Sequence, residues 1–398
     1  MKKLLKLLNV LLPCMVLMGC SSDDHITPIP SSLTSKTYAV SSIFDNNVNG
    51  TAKFIKNDDN STTVEIRLTG ISTGTSHPAS INFNTAAEGG DIAITLNDVN
   101  DTTGFSTTTF STLDSGTSIT YDDLLSFDGY VNVLYSESQP DHILAQGDIG
   151  QNELTDVSKT YSLSEKDVPG ISGLATFYER ENGEALAIIQ ITNAVNGMMH
   201  PAHIHNNTAV EGGDIAFTFN PVDGNTGISA TNIAALDNDV AFLYIDIINF
   251  DGYINVHESD MSLGTIVAQG DIGQNELSGV STSYVLNEVN TSGISGTATF
   301  YGRNNGEALA VIALQNTPLD GLHPAYIYSN DVATTGDIIF TFNPVDGNTG
   351  ISETNVSALD DNAVFEYDDV LGVNGHINVL LSEAQPTIVS QGNIGAND

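Results

Sequence analysis

The 398-residue sequence predicts an all-β fold: three tandem antiparallel β-sandwich or flattened-barrel modules with Greek-key connectivity. Three observations carry that prediction. His77-Pro78-Ala79 recurs as His200-Pro201-Ala202 and His323-Pro324-Ala325, each 123 residues on, and Gly90-Asp91 recurs at Gly213-Asp214 and Gly336-Asp337. Gly129, Gly252 and Gly375 keep the same offset, and Phe217 to Ser229 is identical to Phe340 to Ser352, so one domain is repeated. Within a repeat, short apolar runs alternate with turn dipeptides. Gly173 to Tyr178 and Ala185 to Ile191 flank Asn182-Gly183, a β-hairpin pattern, and Asn196-Gly197, Asp223-Gly224 and Asp251-Gly252 mark further turns. Finally, no 12-residue window sustains a helical apolar stripe.

The segments follow in order. Lys2, Lys3 and Lys6 precede an apolar run, Leu7 to Met18, that is too short to span a bilayer comfortably. Residues 1–19 therefore read as a leader that ends in Leu17-Met18-Gly19-Cys20. A plain secretory signal is the alternative, and it would leave a free thiol at the junction. Residues 20–36, with Pro28 and Pro30 among Ser and Thr, read as an extended tether. The repeats then occupy 37–159, 160–282 and 283–398. Their connections lack a long Pro/Gly/Ser stretch, which predicts a stiff string of modules. Each is long enough to bury a core without disulfides.

Charge narrows the partners. The chain carries 49 acids against 11 bases, and loss of residues 1–19 leaves 8 bases and a net charge of −41. Nucleic acid and anionic lipid headgroups would be repelled, whereas cations would be attracted. No Gly-x-Ser-x-Gly elbow and no Gly-rich phosphate loop ending in Lys is present.

The histidines carry the clearest candidate chemistry. His203 and His205 are two apart, so on a strand they project to one face while Ile204 projects to the other. His257, from a neighbouring strand, could complete a three-imidazole set suited to copper or zinc. The repeats supply a comparison. At these positions the first module has Ser80, Asn82 and Leu134, and the third has Tyr326, Tyr328 and Leu380. The trio is present or absent as a unit, as ligands of one ion would be. The histidine shared by all modules (His77, His200, His323) reads as structural, donating a ring N–H to a backbone carbonyl. Ordinary half-exposed strand histidines remain the alternative for the trio. The Asp-rich loop Asn220 to Gly227 offers oxygen ligands for calcium, but lacks alternating acids and a closing Glu, and reads more readily as a turn. Asp122-Asp123 and Asp368-Asp369 correspond to Ile245-Asp246 in the middle module, so a repeated two-carboxylate mechanism is not encoded.

Four resemblances add expectations. Leu17-Met18-Gly19-Cys20 resembles a bacterial lipobox, which implies lipidation of Cys20, a membrane anchor and no remaining thiol; disulfides, thiolate-bound zinc and cysteine catalysis are then excluded. Ser21-Ser22-Asp23-Asp24 is similar to the export signal of Bacteroidetes surface lipoproteins, which implies a cell-surface outer-membrane location. His200-Pro201-Ala202-His203-Ile204-His205, Gly212-Gly213-Asp214-Ile215, Tyr253-Ile254-Asn255-Val256-His257 and Gln269-Gly270 resemble the CHRD domain, named after chordin, in all three copies. That family usually has a basic residue before its closing Gly-Gln, whereas this chain reads Ala268-Gln269-Gly270-Asp271. Membership implies a β architecture and an extracytoplasmic, non-catalytic binding or structural role, with the protein or glycan ligand unspecified. His-x-x-His-x-His followed by Val-His-Glu is also similar to the copper segments of Cu/Zn superoxide dismutase, an antiparallel barrel. That likeness implies copper on His203, His205 and His257, with His200 as a structural neighbour. The chain departs from it in having no histidine between His205 and His257, so the bridging imidazolate and zinc-site histidines are absent. A copper enzyme and a calcium-dependent adhesin are thus the rival expectations to a non-catalytic module.

Overall fold

The computed structural model describes residues 34–42, 47–71 and 74–398. The leader 1–19, Cys20 and all but the last residues of the tether lie outside the described residues; the first strand, Ser35–Ser41, starts inside the predicted tether. The chain is 54% strand and 4% helix, arranged as three curled antiparallel sheets. Among the described residues, no helix is long and apolar enough to cross a membrane.

Local sequence explains the ladders. In the middle module, Gly173–Arg180 and Ala185–Ile191 pair from Gly173↔Ile191 to Glu179↔Ala185, and Gly183 takes the positive φ that the connecting turn needs. Along Ala185–Ile191 buried and partly exposed residues alternate, as a strand with one face on a core requires. The sheet then runs through non-consecutive neighbours. Asp251–His257 lies between Ile266–Gly273 and Ala202–Asn206, and Ile215–Thr218 forms the edge. Each module has its own core, built on Phe54, Ile66 and Ile81 in the first, Phe177, Ile189 and Ile204 in the second, and Phe300, Ile312 and Ile327 in the third.

The predicted boundaries at 159/160 and 282/283 fall within single continuous strands, Leu154–Glu165 and Leu277–Glu288. Both ladder with strands of the module that follows them. The two junctions are built alike. Arg180, with a fully buried side chain, donates from Nη1 to Asp148 at 2.7 Å and to the Asn152 carbonyl, and from Nε to Asn232 Oδ1 at 2.8 Å. Arg303 donates likewise to Asp271 at 2.6 Å, to the Asn275 carbonyl, and to Asn355 Oδ1 at 3.0 Å. Backbone bonds repeat as well: Glu181 N to Glu153 O and Asn182 N to Gln151 O at the first junction, Asn304 N to Glu276 O and Asn305 N to Gln274 O at the second. At the corresponding positions, the first module carries Asn57 in place of the arginine and the third carries Asn393 in place of the aspartate.

Candidate metal centre

The centre forms where three strands of the middle module lie side by side. His203 pairs with Asn255 and His205 with Tyr253, so these four side chains and His257 share one face, while Ile204, Ile254 and Val256 fill the core behind them. Two irregularities shape that face. The ladder shifts register between Ile204 and His205 on one side and between Val256 and His257 on the other. Such bulges re-aim side chains. The same shifts occur at Ile81/Asn82 and Val133/Leu134 in the first module, and at Ile327/Tyr328 and Val379/Leu380 in the third. The backbone cradle is therefore common to all three modules, and only the second fills it with imidazoles.

One ligating nitrogen from each of His203, His205 and His257 lies within 4.8 Å of the other two. His257 Nε2 and His203 Nδ1 are 3.1 Å apart. Nitrogens held at about 2.0–2.1 Å from a tetrahedral ion sit roughly 3.3–3.4 Å from one another, close to the 3.1 Å hydrogen-bond spacing of this pair, and His205 offers a nitrogen within 4.8 Å of both. His205 is oriented by its neighbours: Nδ1 donates to the Gly213 carbonyl at 2.9 Å, and the ring stacks on Tyr253 with centroids 4.9 Å apart. That fixes the tautomer and leaves Nε2 with a lone pair for an ion. Gly213 has a specific reason to be glycine, because a Cβ there would lie 2.0 Å from the Asn206 carbonyl oxygen. Behind the ring, Gln269 donates to Asn255 Oδ1 at 2.8 Å, and the Asn255 amide lies 3.5 Å from His205 Nε2.

Burial sets the protonation state. It pushes His203 down to about 4, with His257 and His205 adding repulsion, and it also lowers His257, whose ring the Leu263 backbone pulls the other way. Neutral imidazoles are the form that binds metals. His257 is 6% exposed, whereas His203 is half-buried and opens the cluster to solvent. Among the described residues, this is the set of three His, Cys, Asp or Glu side chains that converges on one point.

The other candidate residues occupy different settings. His77, His200 and His323 are fully buried or nearly so, and each donates from Nδ1 to a backbone carbonyl: Tyr135 at 2.7 Å, His257 at 3.1 Å and Leu381 at 2.8 Å. The shared histidine thus ties the start of one strand to the end of another; in the middle module it grips the backbone of His257, the third member of the cluster. In the Asn220 to Gly227 loop, the Asp223 carboxylate accepts from Asn225 N at 2.6 Å and its carbonyl from Gly227 N, which is the bonding of a turn. The acidic pairs are helix starts: Asp123, Asp246 and Asp369 accept from the backbone N–H of Thr120, Leu243 and Glu366, each at 2.9 Å.

Two features escaped the sequence reading. His376, fully buried, stacks on Tyr328 at 5.4 Å in the third module, an exchange of the His205 and Tyr253 positions; the repeat frame aligns it with Tyr130 and Tyr253, but a single histidine in place of an aromatic ring names no partner. The junction arginines did leave one: Arg180 and Arg303 are 123 residues apart, as are Asp148 and Asp271. No family model, no curated protein and no solved structure matches the chain.

Proposed function

We propose that the protein is a non-catalytic, extracytoplasmic binding or structural module string of CHRD type, held to the outer membrane through lipidated Cys20. Its second module alone holds a metal ion, copper or zinc, on His203, His205 and His257. The observation that carries the metal assignment is the convergence of three imidazoles on a backbone cradle that the flanking modules build without them. The anchor and the location rest on the sequence around Cys20.

Metal analysis of the purified chain, beside a variant with all three histidines changed to Ala, tests the reading. The expected result is one equivalent of copper or zinc in the wild type after reconstitution and none in the variant. Wild type that takes up neither metal overturns the metal assignment. The half-buried His203 leaves a face of the site open to solvent, which favours a copper enzyme as the second reading. Copper-loaded protein that does not consume superoxide overturns that one alone. A melting temperature that rises with millimolar calcium in both wild type and variant would instead support the adhesin.

A further inference from the structure

The chain has six methionines. Met1, Met15 and Met18 fall in the leader, and the other three, Met198, Met199 and Met261, are all in the second module. The corresponding positions hold Thr75, Ser76 and Ser138 in the first module and Gly321, Leu322 and Ala384 in the third. Thioethers therefore accompany the three imidazoles and are absent where the imidazoles are absent.

Their placement is specific. Met198 and Met199 immediately precede His200, whose ring is bonded to the His257 carbonyl, and Pro201 O accepts from His257 N at 2.8 Å. Met261 sits on the loop that leaves His257, which is closed by Glu258 N donating to Thr265 O at 2.9 Å. Both methionine-bearing segments are thus anchored on the backbone of the third ligand. Neither is serving a core. Met261 is 95% exposed and Met199 45%, although methionine belongs with the residues most often buried. Exposed, uncharged, polarizable sulfurs on the two segments that adjoin His257 are ligands for a soft ion, and thioethers select Cu(I) over zinc.

We propose that the ion of this site is copper, captured as Cu(I) by the thioethers of Met199 and Met261, with Met198 beside them, and passed to the three imidazoles. The inference rests on the metal reading above and specifies its ion and its entry route. The strongly acidic surface adds attraction for any cation, while the sulfurs supply the selection.

The test uses the full chain under anaerobic conditions, with Cu(I) supplied from a chromogenic chelator, and compares wild type with an M198L/M199L/M261L variant. Leucine keeps size and hydrophobicity, and zinc binding by the same variant reports whether the imidazole cluster is intact. Copper uptake should fall by about 10–100-fold in the variant, the usual cost of losing supporting ligands, with zinc binding unchanged. Equal Cu(I) uptake by the two proteins overturns the inference and leaves the metal site standing. Zinc binding without Cu(I) uptake in the wild type does the same. Absence of binding by both ions overturns the inference together with the metal reading.

Discussion

Replacing Asp271 by Asn should loosen the third module from the second and lower the third module's melting temperature while leaving the local backbone at position 271 in place. Arg303 has no exposed side-chain surface, and among the described residues Asp271 is the carboxylate that pairs with it, through a 2.6 Å contact. Removing one member of a buried pair typically costs about 3–5 kcal/mol, because the other charge stays buried and unpaired. Arg303 already keeps one terminal nitrogen, Nη2, without a partner, so part of that burial penalty is present in the native state and the low end, about 3 kcal/mol, is expected. Asn is tolerated locally: Asn393, at the same place in the third module, accepts from Val332 N at 3.0 Å as Asp271 accepts from Ala209 N at 2.8 Å. For a module of this size, about 3 kcal/mol corresponds to a fall of roughly 10–15 °C in melting temperature. The assay is a double-mutant cycle of D271N, R303N and both, read by calorimetry for the third module's transition and by small-angle scattering for extension. The singles should each destabilise, and the double should lose much less than their sum. Additive effects, or a D271N protein that melts within about 1 kcal/mol of wild type, would show that the ion pair does not couple the modules.

Other outcomes follow from the histidine cluster. In the metal-free protein, His203 titrates near 4 instead of 6.5, so between those values the unfolded chain binds more protons than the folded one. Stability should be intact above pH 6.5 and decline as pH falls toward 4, and the triple-Ala variant should have a flatter profile in thermal melts; parallel profiles would refute the burial argument. A G213A substitution drives a Cβ into the Asn206 carbonyl and displaces the acceptor that orients His205, so metal affinity should drop by about 10–100-fold in a competition titration. An S80H/N82H/L134H graft should give the first module a metal equivalent of its own, because that module has the same two register shifts and retains Tyr130, Asn132 and Gln146. A correctly folded graft that binds nothing would mean that the backbone cradle is insufficient.

The parts of the molecule legible in the sequence are those encoded locally or by repetition. The hairpin around Asn182-Gly183 follows from strand alternation and a turn residue free to take positive φ, both visible within twenty residues. The histidine trio stood out because three copies of one frame made its loss in two of them visible. What stayed hidden depends on register and on distant pairing. The bulges that aim His205 and His257 arise from one-residue mismatches against the next strand, Ile204↔Phe217 followed by His205↔Ile215 and Val256↔Ala268 followed by His257↔Ile266, and no residue type announces them. Arg180 meets Asp148 across a junction, and a buried arginine cannot be told from a solvated one by its neighbours in sequence. The boundary at 159/160 falls within a strand for a related reason: Leu154 to Ser158 belong to a ladder whose other members come later in the chain.

The like construction of the two junctions has a consequence for valency. If the same bonds join first to second and second to third, one screw operation relates successive modules, and whatever surface they share is displayed at a regular pitch and angle. A polymeric ligand with a matching period could occupy several such surfaces at once and gain affinity from effective concentration without any single tight contact. The imidazole cluster, carried by one module of the three, is by the same geometry presented a single time.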